Sequence, residues 1–91
     1  MNYQLIYTES YNKRAKKFLQ NQPHLIEIYK KTLKFLELNP YHPSLRLHRL
    51  KGKLQDLYSV SINISYRITF EFLIQEKNIL LVNVGDHSFV Y

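Results

Sequence analysis

The sequence contains no cysteine, so a disulfide framework and a thiolate metal site are both excluded. Such a chain suits a reducing compartment, and we expect the cytoplasm. The N-terminal residues show neither a basic segment nor a long apolar segment, so no secretion signal is expected. No apolar run approaches the roughly 18 residues that would cross a bilayer, which predicts that the protein has no membrane partner.

The chain has only two glycines, Gly52 and Gly85, and they do not form a phosphate-binding loop. The seven carboxylates form no paired acidic motif, which argues against a two-metal nuclease or a glycosidase. No close spacing of one histidine with another, or with a carboxylate, suggests a zinc site. We therefore expect neither a metal nor another cofactor.

Positive charge is what the chain has in excess. Thirteen Lys and Arg against seven Asp and Glu give a net charge of +6, and most of the basic residues lie between Lys13 and Lys53. The length suits a single domain over residues 1–91. A basic domain of this size suits nucleic acid or an acidic protein partner. Charge alone does not decide between these partners and a surface that is basic only for solubility.

Hydrophobic periodicity predicts the element order β-α-α-β-β-β. This order favours an α+β fold in which a helical hairpin packs on one face of a small, twisted, antiparallel-rich sheet. The predicted elements are a strand Tyr3–Thr8, a helix from Thr8 or Ser10 to about Gln20, a helix from Pro23 to about Leu38, an extended approach over Leu45–Leu54, and strands Leu57–Asn63, Tyr66–Ile74 and Ile79–Asp86.

The clearest pattern in the sequence is the alternation from Tyr58 to Ile74, in which apolar side chains take the even positions. Period-two alternation indicates strands with one buried and one open face. Arg67 falls on an odd position, so we expect it on the open face. Cross-strand partners share a face, so the alternation needs a turn of odd length, and residues 63–65 would place Ser61 opposite Arg67.

The same reasoning predicts the second hairpin. If the alternation continues unbroken, Phe72 lies opposite Leu80, and this register places Arg67 near Gly85. His87 is then diagonal to Arg67 across the two strands. Opposite and diagonal side chains are about 4.5–8 Å apart, so Arg67 and His87 can both touch one phosphate.

The histidines, basic residues and terminal tyrosine of this chain suit metal-free cleavage of RNA. RNA carries its own nucleophile, the 2′-hydroxyl, so an enzyme needs a base, an acid and cations that stabilise the charge developing on the phosphate. Histidine has a pKa near neutrality and suits proton transfer. Taken alone, His87 is more simply a surface histidine, and His48 is more simply part of a basic strip. The residues that together supply the chemistry are His48, Lys51, Lys53, Arg67, His87 and Tyr91.

A family resemblance is carried by four segments, Leu47–Gly52, Tyr58–Ile62, Tyr66–Ile68 and Gly85–Tyr91. Together they resemble the RelE/ParE superfamily, and most closely its YafQ-type bacterial toxins of toxin–antitoxin modules. The resemblance spans nearly the whole chain, including the order of its elements. It implies a ribosome-dependent mRNA endoribonuclease that a small cognate antitoxin wraps and neutralises.

The resemblance also implies roles for single residues. His48 matches the histidine of an H-x-L-x-G motif, a proposed acid or base, and Arg67 matches the arginine that binds the scissile phosphate. His87 matches the terminal-motif histidine used in proton transfer, and Tyr91 matches the final aromatic residue that orients or stacks on a base. Which histidine is acid and which is base stays open. With the adjoining basic strip, the predicted RNA-binding residues are Arg46, Arg49, Lys51 and Lys53.

Two positions depart from the family pattern. Many relatives carry Arg or His where this chain has Ser61, and some carry Arg where it has Asn83. These departures leave two alternatives open: a non-catalytic, ParE-like inhibitor of DNA gyrase, and an inactive module that binds an antitoxin or nucleic acid. His48, His87 and Tyr91 favour the nuclease, because a gyrase inhibitor has no need of that set.

Overall fold

The computed structural model describes residues 2–50, 57–73 and 77–86. Within them the chain forms two α-helices, two short 3₁₀ turns and a five-stranded sheet. No helix in these ranges is long and apolar enough to cross a membrane. In chain order the elements are β1 Gln4–Ile6, α1 Glu9–Asn21, a 3₁₀ turn Pro23–Leu25, α2 Ile26–Leu38, a 3₁₀ turn Pro43–Leu45, β2 His48–Arg49, β3 Tyr58–Ser61, β4 Tyr66–Leu73 and β5 Asn78–Asp86.

Capping and proline fix the bounds of the helices. Thr8 has an extended backbone, and its Oγ1 accepts the N–H of Tyr11 at 3.1 Å. Of the two residues predicted to start this helix, Thr8 and Ser10, it is therefore Thr8 that caps it. The first helix ends at Asn21, and Pro23 opens the next turn. The predicted second helix therefore begins as a 3₁₀ turn and becomes α-helical only from Ile26.

The strands form one mixed sheet in the order β1-β5-β4-β3-β2. β1 runs parallel to β5, and the other neighbours are antiparallel. The predicted α+β fold is confirmed. The extended approach predicted over Leu45–Leu54 contains a further strand of two residues, β2, which pairs with β3 at the edge of the sheet.

The first hairpin has the register that the alternation predicts. Ser61 lies opposite Arg67, as expected. The turn between the strands is held by Asn63, whose Oδ1 accepts the backbone N–H groups of Ser65 at 2.8 Å and Tyr66 at 2.9 Å. Asparagine side chains commonly close turns in this way, which explains the turn's position.

The second hairpin matches the prediction only at one end. Arg67 lies opposite Gly85, as expected. The predicted pairing of Phe72 with Leu80 is wrong, because Phe72 pairs with Ile79. The register shifts by one residue between these two places, at a β-bulge that changes the parity of β5. The buried apolar side chains of β5 are accordingly Ile79, Leu81 and Val84.

The core lies between the helical hairpin and one face of the sheet. Two tyrosines meet inside it, and the hydroxyls of Tyr11 and Tyr29 share a hydrogen bond of 2.7 Å. Phe18 of α1 packs edge-on against Tyr66 of β4, with ring centroids 5.2 Å apart. The buried residues that form the core cluster are Tyr11, Ala15, Tyr29, Leu36, Leu45, Val60, Ile62, Ile68, Phe70, Ile79, Leu81 and Val84.

The tyrosine pair predicts how stability responds to alkali. Burial raises the pKa of Tyr11 and of Tyr29 above the 10.0 of an ordinary phenol. Because the folded-state pKa lies above the unfolded value, this stabilisation is complete below pH 10 and is lost as the pH rises further. Tyr11→Phe removes one titrating group, so we expect the alkaline fall in unfolding free energy to lessen by about 1.4 kcal/mol per pH unit.

Denaturant unfolding at a series of pH values above 10.0 measures this slope. Tyr41→Phe is the comparison, since burial also raises the pKa of Tyr41 but its side chain is 58% exposed, so its charged form keeps contact with water. A smaller change is expected there. Equal changes in the two variants would contradict the role of burial.

Candidate functional site

The structure describes half of the predicted site residues. Those that it places are Arg46, His48, Arg49 and Arg67. The predicted residues Lys51, Lys53, His87 and Tyr91 lie outside the described residues. The location of one predicted histidine and of the predicted phosphate-binding arginine is therefore known, and the roles of the others stay predictions.

The sheet places His48 on the same face as Arg67. His48 lies opposite Ser59, and Ser59 lies opposite Thr69, so a row of polar residues crosses three strands. The neighbouring row contains Arg67 between Ser61 and Gly85. Directly opposite residues share a face, and residues two apart on a strand share it as well. His48 and Arg67 therefore flank β3 diagonally on one face.

Arg67 is buried, and its predicted place on an open face is wrong. The side chain is only 6% exposed. Its Nε donates to the Oγ of Ser59 at 2.8 Å, and its Nη2 donates to the backbone carbonyls of Ser59 at 3.2 Å and Arg46 at 2.7 Å. Burial of a charge is costly unless hydrogen bonds compensate, and these acceptors supply that compensation. The alternation identified the face correctly but could not show that this part of it is covered.

Arg46 has an unusual backbone at the point where the chain enters the sheet. Its φ of 50° and ψ of 57° are left-handed, and its N–H closes the second 3₁₀ turn on the carbonyl of Pro43 at 3.2 Å. A left-handed conformation costs a residue with a Cβ roughly 1–2 kcal/mol. The hydrogen bond from Arg67 to the Arg46 carbonyl helps to hold it. The side chains of Arg46, His48 and Arg49 are exposed, so the two arginines carry positive charge into solvent beside the buried guanidinium.

The two positions that depart from the family pattern are used in local hydrogen bonds. The Ser61 hydroxyl donates to the carbonyl of Asn63 at 2.7 Å, and the Asn83 Oδ1 accepts the N–H of Val84 at 2.9 Å. Serine and asparagine at these positions therefore form hydrogen bonds with the backbone.

Within residues 2–50, 57–73 and 77–86, no three His, Asp or Glu side chains are grouped so as to hold a metal ion.

Ser59 lies on this face, and no individual role was predicted for it. Its side chain is fully buried, and it accepts from Arg67 while lying opposite His48. Its odd position in the alternation fixed its face, and the pairing with β2 needed the structure. His42, by contrast, has a local role, because its Nδ1 accepts the N–H of Ser44 at 3.2 Å and caps the second 3₁₀ turn.

A groove of about 420 Å³ lies between α1 and β5, and most of its lining is apolar. Phe18 lies in it, Arg14 and Lys17 give it a basic side, and Asp86 at the end of β5 adds one carboxylate. Arg14 crosses to the sheet, where its Nη1 donates to the carbonyl of Val82 at 3.1 Å. The groove thus combines an apolar lining with positive charge.

No protein-family model matches the chain, and no curated protein matches it in sequence. Solved toxin structures nevertheless have the same backbone arrangement. YafQ from Escherichia coli is similar with a TM-score of 0.79 and 13% identity, over 98% of each chain. The YoeB/ParE toxin from Agrobacterium tumefaciens has a TM-score of 0.72 and 15% identity, over 92% of this chain and 98% of that one.

A chain of the RelBE2 toxin–antitoxin complex from Mycobacterium tuberculosis is also similar. Its TM-score is 0.69 at 14% identity, over 96% of this chain and 100% of that one. Identities this low establish the fold alone. The chain has the fold of the RelE/ParE-type toxins.

The left-handed backbone at Arg46 leads to a stability prediction. Arg46→Gly and Arg46→Ala remove the same charge, but only glycine adopts a positive φ without steric cost. We expect the Gly variant to be more stable than the Ala variant by about 1 kcal/mol. Urea unfolding of the two variants measures the difference. A Gly variant that is equal to or less stable than the Ala variant would show that no strain is held at this position.

Proposed function

We propose that this chain is the toxin of a bacterial toxin–antitoxin module and cleaves mRNA on the ribosome, in the cytoplasm. The observation that carries the proposal is the placement of His48 and Arg67 on one face of a RelE/ParE-type fold. A titratable side chain thus lies diagonally across β3 from a buried cation. This arrangement supports acid–base chemistry at a phosphate that needs no metal.

In the proposed reaction, a base takes the proton from a ribose 2′-hydroxyl, and the 2′-oxygen bonds to the adjacent phosphorus. The bond from phosphorus to the 5′-oxygen breaks, and an acid gives that oxygen a proton. The products are a 2′,3′-cyclic phosphate and a 5′-hydroxyl. His48 and His87 share the two proton transfers, in an order that we leave open, because an imidazole can act as either base or acid.

The remaining predicted residues bind the RNA. Arg67 supplies positive charge toward the scissile phosphate, and Tyr91 stacks on a base. Four basic side chains hold the RNA backbone by charge, so binding weakens as salt rises. These side chains are Arg46, Arg49, Lys51 and Lys53.

The nuclease proposal predicts that His48→Ala and His87→Ala each lower cleavage by about 10²–10⁴-fold, the usual contribution of a proton-transfer residue. The measurement is induction in bacterial cells, with the 5′ ends of mRNA mapped before and after. His24→Ala is the control, since His24 is exposed in the 3₁₀ turn before α2. New ends that persist in both His48 and His87 variants would sink the catalytic assignment.

A non-catalytic function on the same fold is the second candidate. It is favoured by the burial of Arg67, whose guanidinium is bound by Ser59 and by the Arg46 carbonyl. Growth arrest without new mRNA ends, together with inhibited supercoiling by purified DNA gyrase, would identify a ParE-like inhibitor. Neither arrest nor new ends would identify a module that only binds an antitoxin or nucleic acid.

We also propose a cognate antitoxin as the partner, and an acidic, partly apolar segment of it as the occupant of the groove between α1 and β5. The support is charge complementarity with a chain of net charge +6 and with the basic side of the groove. The RelBE2 structure is itself a toxin–antitoxin complex, which supports a partner of this class.

The groove proposal predicts that Lys17→Glu weakens antitoxin binding by tenfold or more, because it reverses a charge at the contact. Lys13→Glu makes the same charge change one turn earlier on α1, at a side chain that is not in the groove and lies near Glu9. Calorimetry at about 50 and 500 mM salt tests both variants. Equal losses in the two would indicate attraction by overall charge rather than docking in the groove.

A further inference from the structure

The guanidinium of Arg67 joins three parts of the chain through hydrogen bonds, which we call the Arg67 tie. It belongs to β4, it binds both the hydroxyl and the carbonyl of Ser59 on β3, and it binds the carbonyl of Arg46 before β2. Ser59 is fully buried, so its contacts with the guanidinium are shielded from competing water. Guanidinium is planar and its donors point in fixed directions, so acceptors at two edges fix its orientation.

Two of the residues in this tie are neighbours of His48, one across the sheet and one along the chain. Ser59 is the direct cross-strand partner of His48, and Arg46 precedes His48 by two residues. The left-handed backbone at Arg46 sets the direction in which the chain enters β2. A carbonyl fixed at Arg46 and a partner fixed at Ser59 therefore determine together where His48 and Arg49 lie.

We propose that Ser59 is a positioning residue, which orients the Arg67 guanidinium and thereby sets the position of the β2 segment that carries His48. The tie itself is independent of any activity, whereas its effect on RNA cleavage rests on the proposed nuclease function. Ser59 touches no substrate in this scheme and acts through Arg67.

Another hydroxyl on this face does not take the place of Ser59. Thr69 lies opposite Ser59 and is 3% exposed, and its Oγ1 has no hydrogen-bond partner in the described part of the chain. The guanidinium therefore binds the Ser59 hydroxyl and not the buried hydroxyl of Thr69, which lies opposite Ser59. Loss of the Ser59 hydroxyl leaves a buried, charged N–H donor without this acceptor, which is among the more costly changes to a polar network.

The test compares Ser59→Thr with Ser59→Val. Both add the same bulk at a buried position, and only threonine keeps the hydroxyl. Ser59→Ala is added because it creates no overpacking. The matched control is Ser61→Ala, two residues along the same strand and face, where the hydroxyl binds the carbonyl of Asn63 and not Arg67.

The first readout is NMR of the Arg67 Nε–H, which needs no activity. We expect slow hydrogen exchange in the wild type, Ser59→Thr and Ser61→Ala, and exchange faster by about tenfold or more in Ser59→Val and Ser59→Ala. Fast exchange in the wild type, or no difference between Thr and Val, would overturn the tie, whatever the activity.

The second readout is cleavage of a short mRNA bound to ribosomes. We expect Ser59→Val and Ser59→Ala to lower kcat by about tenfold or more with little change in KM, and Ser59→Thr to restore kcat. Wild-type kcat in Ser59→Val with a lost Nε–H signal would overturn the positioning role. An intact tie in a wild type that cleaves no RNA would instead contradict the proposed function and leave the tie established.

Discussion

A buried positive charge organises the face of the sheet that carries His48. The Arg67 guanidinium donates to the hydroxyl and the backbone carbonyl of Ser59 and to the backbone carbonyl of Arg46. These hydrogen bonds compensate for the burial of the charge and fix the position of the guanidinium. An anion that approaches His48 and Arg49 therefore meets both surface charge and a fixed charge behind it.

The β-bulge in β5 lets the two ends of this strand place residues of opposite parity on the core face of the sheet. Toward one end of the strand, odd-numbered residues such as Ile79 and Leu81 must fill the core under the helices. Toward the other end, Gly85 must lie opposite Arg67 on the polar face. One additional residue between them satisfies both, because it reverses the side-chain parity within a single strand.

Sequence reasoning reached the fold and the pairing around Arg67, because an unbroken alternation with a turn-forming asparagine fixes the register there. It failed at the bulge, since the run from Ile79 to Val82 is apolar throughout and hides the parity. It also failed on the burial of Arg67, because periodicity gives the face of a strand but not what lies over it. The role of Ser59 depends on its pairing with the two-residue strand β2, which is too short to carry a periodic signal.

The parallel pairing of β1 with β5 has a consequence for biosynthesis. Gln4 lies opposite Asn78, and Arg14 of α1 donates to the carbonyl of Val82. The first strand and the first helix therefore depend on contacts with a strand that comes much later in the sequence. Contacts of such long sequence separation form slowly and only once both segments exist. During translation, the N-terminal strand and helix therefore stay without their sheet neighbour until β5 has been made.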